Sequence, residues 1–426
     1  MVALAGYCGT AKGLWAWAEW PAPLEGSLPP AFHVPTLNPD WQVSFAIGLL
    51  KKGVSGGLLS GMLFQYPGLL MMSIIGFLAE KIDWENNLFK GFASGLGSVG
   101  VALVVGAAIG LSAKTAPDRE TKLLNLIAAV VSYMYTSAWI FPALILFGGI
   151  VTYIRDLKKP VNEAPGDEGI QSYGMSKVGG ACLILLWAVI LVVCIVLRTA
   201  VLDYQGSAMA LYWFETFYRI GSYIFGGGQV VLPLIVEQVV QYTDKCEVIE
   251  GLEQCKRVPD YLAYPAGDAR IGSWMTEAQF LAGLGVAQAM PGPLFNISAY
   301  LGALIAARAG MNALAGIAAC WFGMFAPGVL LIFGALPWWG EFRKLPVYRR
   351  ALPGMNAAAV GLVVAASFSL YDKVRSASPF PDTAVAIGIL GFAAVELFKA
   401  PAPAAIVGGG ALGLIGAALK VRWIAG

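Results

Sequence analysis

The residues with the most chemical content in this chain carry no charge. Between Gln288 and Ser298 it reads QAMPGPLFNIS, so Pro291, Gly292 and Pro293 interrupt an otherwise apolar stretch. Two prolines around a glycine do not fit inside one regular helix. We read two half-helices meeting at a break, the second with Pro293 in its first turn and its free backbone N–H groups turned into the break. A helix start of that kind attracts anions. A second interruption falls at Gly226, Gly227 and Gly228, followed by Gln229, inside another apolar run. Each glycine costs about 1 kcal/mol of helix stability relative to alanine. Three in a row either let helices pack closely or unwind this one, and consecutive glycines depart from the spaced small-residue pattern that packing uses. Irregular backbone at membrane depth persists only where protein or a water-filled cavity covers it, so the two breaks are expected to face one cavity. Beside them stand Gln229, Gln288, Asn296 and Ser298. Neutral donors of this kind can hold a small oxyanion and still release it, whereas a cation site would want carboxylates in the breaks.

Charged residues form a second group: Glu215, Arg219, Glu237 and Glu277, with Arg198 and Arg308 at the ends of apolar runs. Charge inside a membrane marks function by default. Glu215 and Arg219 are spaced i and i+4, so they share a helix face and neutralise one another, either as a coupling pair or as a packing device. Glu237 and Glu277 flank the half-helices on their loop sides, where they meet interfacial water or relay a proton. Arg198 and Arg308 are expected to snorkel. The single histidine, His33, takes no role, and the cysteines (Cys8, Cys182, Cys194, Cys246, Cys255, Cys320) show no metal-ligand spacing. We therefore expect no metal, no cofactor and, with no set of nucleophile, base and orienting group, no enzyme. Cys246 and Cys255 lie nine residues apart in a polar stretch; in an oxidising compartment they can form a disulfide, and otherwise they are two free thiols.

These groups need a frame to hold them, and the composition says which kind. Of 426 residues 58% are hydrophobic and 13% charged, with mean hydropathy +0.69 and a net charge of +2. That is a polytopic, all-α membrane protein, plausibly of the plasma membrane, with no basic stripe for nucleic acid. Residues 1–41 are a Trp- and Pro-rich lead-in suited to the headgroup level. Apolar segments then follow at 45–50, 54–79, 91–113, 122–154, 178–197, 207–240, 274–302, 313–336, 351–370, 383–398 and 404–421, ten or eleven membrane segments in all. The run 122–154 is too long for one span and predicts a helical pair or a long kinked helix. The connectors carrying Lys158 and Lys159, and Arg343, Lys344, Arg349 and Arg350, look cytoplasmic.

The apolar segments repeat. Pro67 and Gly68 match Pro327 and Gly328; Gly95, Val101 and Leu103 match Gly354, Val360 and Leu362; Pro39, Ser44 and Gly48 match Pro293, Ser298 and Gly302. The chain therefore divides into a first half at 42–157, a linker at 158–177 and a second half at 178–426 that includes the polar loop 241–273. Leu37, Asn38 and Pro39 stand where the second half has Pro291, Gly292 and Pro293, so the first half is expected to be incomplete or altered.

The strings FGGGQVVLPLIVEQVV (225–240) and WMTEAQFLAGLGVAQAMPGPLFNISAYLGA (274–303) resemble the signature segments of the chromate ion transporter family, a likeness that extends to about Ser369. The resemblance implies a multi-pass protein of two homologous halves that moves chromate, with sulfate as an analogue, out of the cell. It places the substrate region at Gly226, Gly227, Gly228, Gln229, Gln288, Pro291, Gly292, Pro293 and Asn296. The partners are then a small inorganic oxyanion, the lipid bilayer and, as a possibility, a second copy of the chain. A passive anion channel and a truncated, non-transporting scaffold stay open beside the transporter.

Overall fold

The computed structural model describes residues 40–84, 86–135, 140–159, 175–200, 208–222, 228–240, 242–249, 252–259, 274–290, 292–342 and 344–425. The lead-in with Leu37, Asn38 and Pro39, most of the linker, and Gly226, Gly227 and Pro291 lie outside them, as do the side chains of Arg198, Gln229 and Glu237. The chain forms helices α1 (Asp40–Ala79), α2 (Asn87–Thr115), α3 (Arg119–Met134), α4 (Ile140–Arg155), α5 (Lys177–Ala200), α6 (Ala208–Ser222) and α7 (Gly228–Val239). A hairpin of β1 (Tyr242–Ile249) and β2 (Leu252–Pro259) follows, then α8 (Glu277–Ala289), a 3₁₀ turn at Leu294–Asn296 and α9 (Ile297–Arg308). The last four helices are α10 (Ala313–Phe342), α11 (Pro346–Ala377), α12 (Pro381–Phe392), which ends in a π turn at Ala393–Leu397, and α13 (Ala402–Ala425).

Six of the described helices are long and apolar enough to cross a membrane: Lys52–Ala79, Asn87–Thr115, Lys177–Leu197, Ala313–Phe342, Pro346–Ser376 and Ala402–Leu419. The ten or eleven segments counted in the sequence are therefore six full spans and a set of shorter helices. The long run 122–154 is the helical pair α3 and α4. The polar loop 241–273 contains the β-hairpin, which the helical pattern of the rest of the chain gave no cue to expect.

The repeat is visible in the backbone. α1 bends at Lys52 and Gly53, and Gly53 (φ +68°) has its counterpart in Gly310 (φ +67°), between α9 and α10. The two arms of α1 thus correspond to α9 and α10, with Pro67 and Pro327 inside the second member of each. A Cβ on Gly48 would strike the carbonyl of Gly56, and one on Gly302 that of Gly316. α2 then corresponds to α11, and each is flanked by the two helices that follow it or its partner: α4 and α3 pack on α11, and α13 and α12 on α2. The closest crossings are again glycine on glycine, Gly148 against Gly354 and Gly409 against Gly95. Small residues let backbones approach where lipid supplies no hydrophobic drive.

Polar contacts show that the halves are inverted. Arg155, closing α4, binds Glu120 at the start of α3 at 2.8 Å, and its hydrogen bonds hold the Asp156 carboxyl at about 2. Arg350 of α11 donates to the Lys159 carbonyl (3.1 Å), and Lys177 of α5 pairs with Glu341 of α10. One face therefore gathers the basic connectors, and the positive-inside rule assigns it to the cytoplasm. At the other face Glu277, opening α8, meets Lys373 (3.6 Å) and Ser376 (3.2 Å) near the end of α11. Thus α2 ends on the basic face and α11 begins there, which is the relation of inverted-topology repeats.

Gly354→Val and Gly95→Val should each lower thermal stability in detergent by the equivalent of about 1–3 kcal/mol or prevent folding, because the added methyls meet backbone. Gly408→Val, where a Cβ meets nothing within 4 Å, should melt like the parent chain. Equal melting of Gly354→Val and Gly408→Val would contradict the crossing.

Candidate functional site

The site is built on the α8–α9 break. Thr276 starts α8 with a capping box: its hydroxyl accepts from the Gln279 N–H (3.1 Å) and Gln279 Oε1 accepts from the Thr276 N–H (2.9 Å). α8 has 13 residues and α9 has 12, about 20 Å each at 1.5 Å per residue, too short to cross roughly 30 Å of hydrocarbon alone. They fold back on one another. Tyr300 Oη donates to the Gln279 carbonyl (2.8 Å), and its ring occupies the space a side chain at Gly283 would need. α8 enters from the face opposite the basic connectors, and α9 leads back to it, since α10 returns to the basic face. The pair is a re-entrant hairpin whose tip is Met290–Asn296.

Gly292 makes the tip possible. Its φ of +108° strains any residue with a side chain, and a Cβ there would lie 3.3 Å from the Phe64 carbonyl oxygen of α1 and 3.5 Å from Asn296 Nδ2. Pro293 caps a 3₁₀ turn with extended backbone, so it precedes the helical turn in which the sequence placed it. Asn296, 2% exposed, is the clamp. Its Nδ2 donates to the Gln65 carbonyl of α1 (3.2 Å), and its Oδ1 accepts from Trp321 Nε1 of α10 (3.0 Å). Trp321 stacks on Phe325, and Phe325 meets Phe295 edge to face.

Buried side-chain atoms without a hydrogen-bond partner include both amide atoms of Gln65, Ser298 Oγ and Gln288 Nε2, on the elements that meet here, and also atoms of Ser94, Tyr348, Arg350 and Asn356. Gln65 is 1% exposed and Ser298 fully buried. Gln288 Nε2 lies against α2, 3.2 Å from where a Cβ on Gly100 would sit. Buried polar groups in native proteins are nearly always paired, so each unpaired one calls for a ligand or water. Sequence reasoning had named Gln288, Asn296 and Ser298; it missed Gln65, which sits two residues before the Pro67 that marked the repeat.

The other sequence-derived residues lie elsewhere. α6 ends at Ser222 and α7 begins at Gly228, and Gly226 and Gly227 between them lie outside the described residues. α7 packs on α11 and α6, while α6 packs on α10. Gly221 of α6 faces the Met324 backbone and Gly323 of α10 faces Phe214, three residues or fewer from the Trp321 that holds Asn296. α6 and the α8–α9 tip thus both reach α10 among the described residues, while the glycine break itself lies outside them. Glu215, 1% exposed, pairs with Arg219 at 2.9 Å, and Arg219 also reaches Gln238 of α7 (3.3 Å). Glu277 is a surface ion pair rather than a member of the break.

Comparison with known proteins bears on both halves. A family model described as "Chromate transporter" matches residues 39–153 and 268–414. The chain is 23% identical over 365 residues to the chromate transport protein of Pseudomonas aeruginosa, covering 84% of this chain and 74% of that protein. It is 21% identical over 380 residues to the chromate transport protein of Cupriavidus metallidurans (88% and 78%), and 23% identical over 328 residues to the probable chromate transport protein of Synechococcus elongatus (76% and 68%). No solved structure matches.

Asn296→Ala should destabilise the protein more than Trp321→Phe. The first leaves the Trp321 N–H unpaired, at about 1–3 kcal/mol, and also removes the bond to the Gln65 carbonyl, whereas the second removes one bond and orphans only Asn296 Oδ1. Unfolding of both single variants and the double in detergent should show strong non-additivity; additive losses would mean the two side chains are not bonded.

Proposed function

The chain belongs to the chromate transporter family, and we propose that it carries a tetrahedral divalent oxyanion, chromate with sulfate as its analogue, out of the cell by alternating access around the α8–α9 break. The observation that supports this reading is the group of uncharged, unpaired, buried polar atoms on Gln65, Gln288 and Ser298 around a backbone turn that only glycine fits. Neutral amides, a hydroxyl and helix-start N–H groups stabilise an anion without the fixed positive charge that would retain it. In this reading Gly226, Gly227, Gly228 and Gln229 complete the substrate region from the α6–α7 side, and the Glu215–Arg219 pair serves coupling. The inverted halves fit a carrier, since related halves of opposite orientation can open the same site to either face in turn.

Labelled chromate and sulfate offered to proteoliposomes test the reading directly. Saturable, counter-ion-dependent movement of at least one anion is expected; conduction without saturation would make the protein a channel, and no movement above background by folded protein would end the proposal. Gln65→Leu sharpens the test. It removes two orphaned polar atoms at nearly constant volume, so stability should hold or rise, while transport should fall at least about tenfold, the equivalent of about 1.4 kcal/mol of lost binding. Undiminished transport by Gln65→Leu would remove that amide from the site.

A further inference from the structure

We infer that Cys246 and Cys255 form a disulfide that staples the β1–β2 hairpin on the extracytoplasmic face. The two residues are direct partners in the antiparallel register, Cys246 opposite Cys255. Directly opposed residues in an antiparallel pair have Cα atoms about 4.5 or 5.5 Å apart, and both separations fall within the roughly 4.4–6.8 Å that a disulfide bridges. The same register sets Asp244 opposite Arg257 and Lys245 opposite Lys256.

Sidedness comes from the feet of the hairpin. The Trp274 N–H donates to the Val239 carbonyl (2.8 Å) and the Met275 N–H to the same oxygen (3.2 Å), so the excursion leaves α7 and rejoins α8 at one point. Three residues on, Glu277 is held by Lys373 and Ser376 at the face opposite the basic connectors. With those connectors in the cytoplasm, the hairpin stands outside, where thiols are oxidised and disulfides persist. A two-stranded ribbon is at best marginally stable by itself, so a cross-strand link gives this one the stability its size does not. Cys182, Cys194 and Cys320 are free and lie on helices, away from the hairpin.

The reaction is thiol–disulfide exchange with an oxidised dithiol–disulfide protein of that compartment. One cysteine, as thiolate, attacks the donor's S–S bond; the second displaces the donor from the mixed disulfide. The two cysteines lose two electrons and two protons, and the donor leaves as a dithiol.

The test uses the full chain, isolated without reductant after its thiols are trapped with N-ethylmaleimide. Trypsin cuts after Lys245 and Lys256, so both cysteines fall in the single peptide 246–256. That peptide should be lighter by two hydrogens than its dithiol form and carry no maleimide until reduced, then two. Two maleimides without reduction would overturn the inference. Cys246→Ser frees one thiol, and a membrane-impermeant maleimide should label Cys255 on intact cells; labelling confined to inside-out vesicles would overturn the sidedness. Neither readout depends on which anion the protein carries.

Discussion

The constraint on which this structure depends is that a helix broken inside a membrane must have its backbone and polar side chains covered by protein. α8 and α9 are each too short to span, and their joint at Met290–Asn296 would face lipid if nothing closed over it. Asn296 does the closing, because one amide reaches both neighbours: its nitrogen takes the Gln65 carbonyl of the first half, and its oxygen takes the Trp321 indole of the second. The clamp therefore joins α1, two residues before Pro67, to the α8–α9 tip and to α10. Replacing the clamp by apolar packing would close the break and remove the polar surroundings that give it a use.

Around that joint the fold is held by backbone proximity more than by side-chain bulk. The crossings of α4 on α11 and of α13 on α2 put glycine against glycine, and the two arms of α1 meet as α9 and α10 do. Such contacts maximise dispersion between helices that gain nothing by leaving lipid for protein. The same crossings recur in the inverted half.

Much of this arrangement was legible in the sequence, and the reasons are local. Proline and glycine state their backbone consequences outright, so the break around Gly292 and Pro293 and the repeat through Pro67 and Pro327 could be read from the residues alone. The run 122–154 exceeds one membrane thickness and so had to turn. What stayed hidden depends on partners. Gly53 and Gly310 look like any other glycines until their positive φ values are compared. Gln65 sits in an ordinary apolar run, and its interest lies in lacking a partner, a property no single residue displays in sequence. The hairpin 242–259 alternates polar residues without an apolar face, so nothing in its periodicity announces strands. Nothing in the sequence announced that α10 touches both α6 and the α8–α9 tip.

The structure also bears on where an anion would choose to sit. Arg219 is the obvious cation near a helix break, yet its guanidinium is already bound by Glu215 at 2.9 Å and Gln238 at 3.3 Å, and Glu215 is almost wholly buried. Taking Arg219 for a substrate would leave that carboxylate uncompensated in a medium where breaking one buried pair costs about 3–5 kcal/mol. A divalent oxyanion would have to repay this before gaining anything. At the α8–α9 break the situation is reversed: the unpaired atoms of Gln65, Gln288 and Ser298 already carry the cost of desolvation, so a ligand that bonds them recovers free energy instead of expending it. In the proposed function the neutral break is thus a better receiver of charge than the Arg219 guanidinium, which Glu215 and Gln238 already hold.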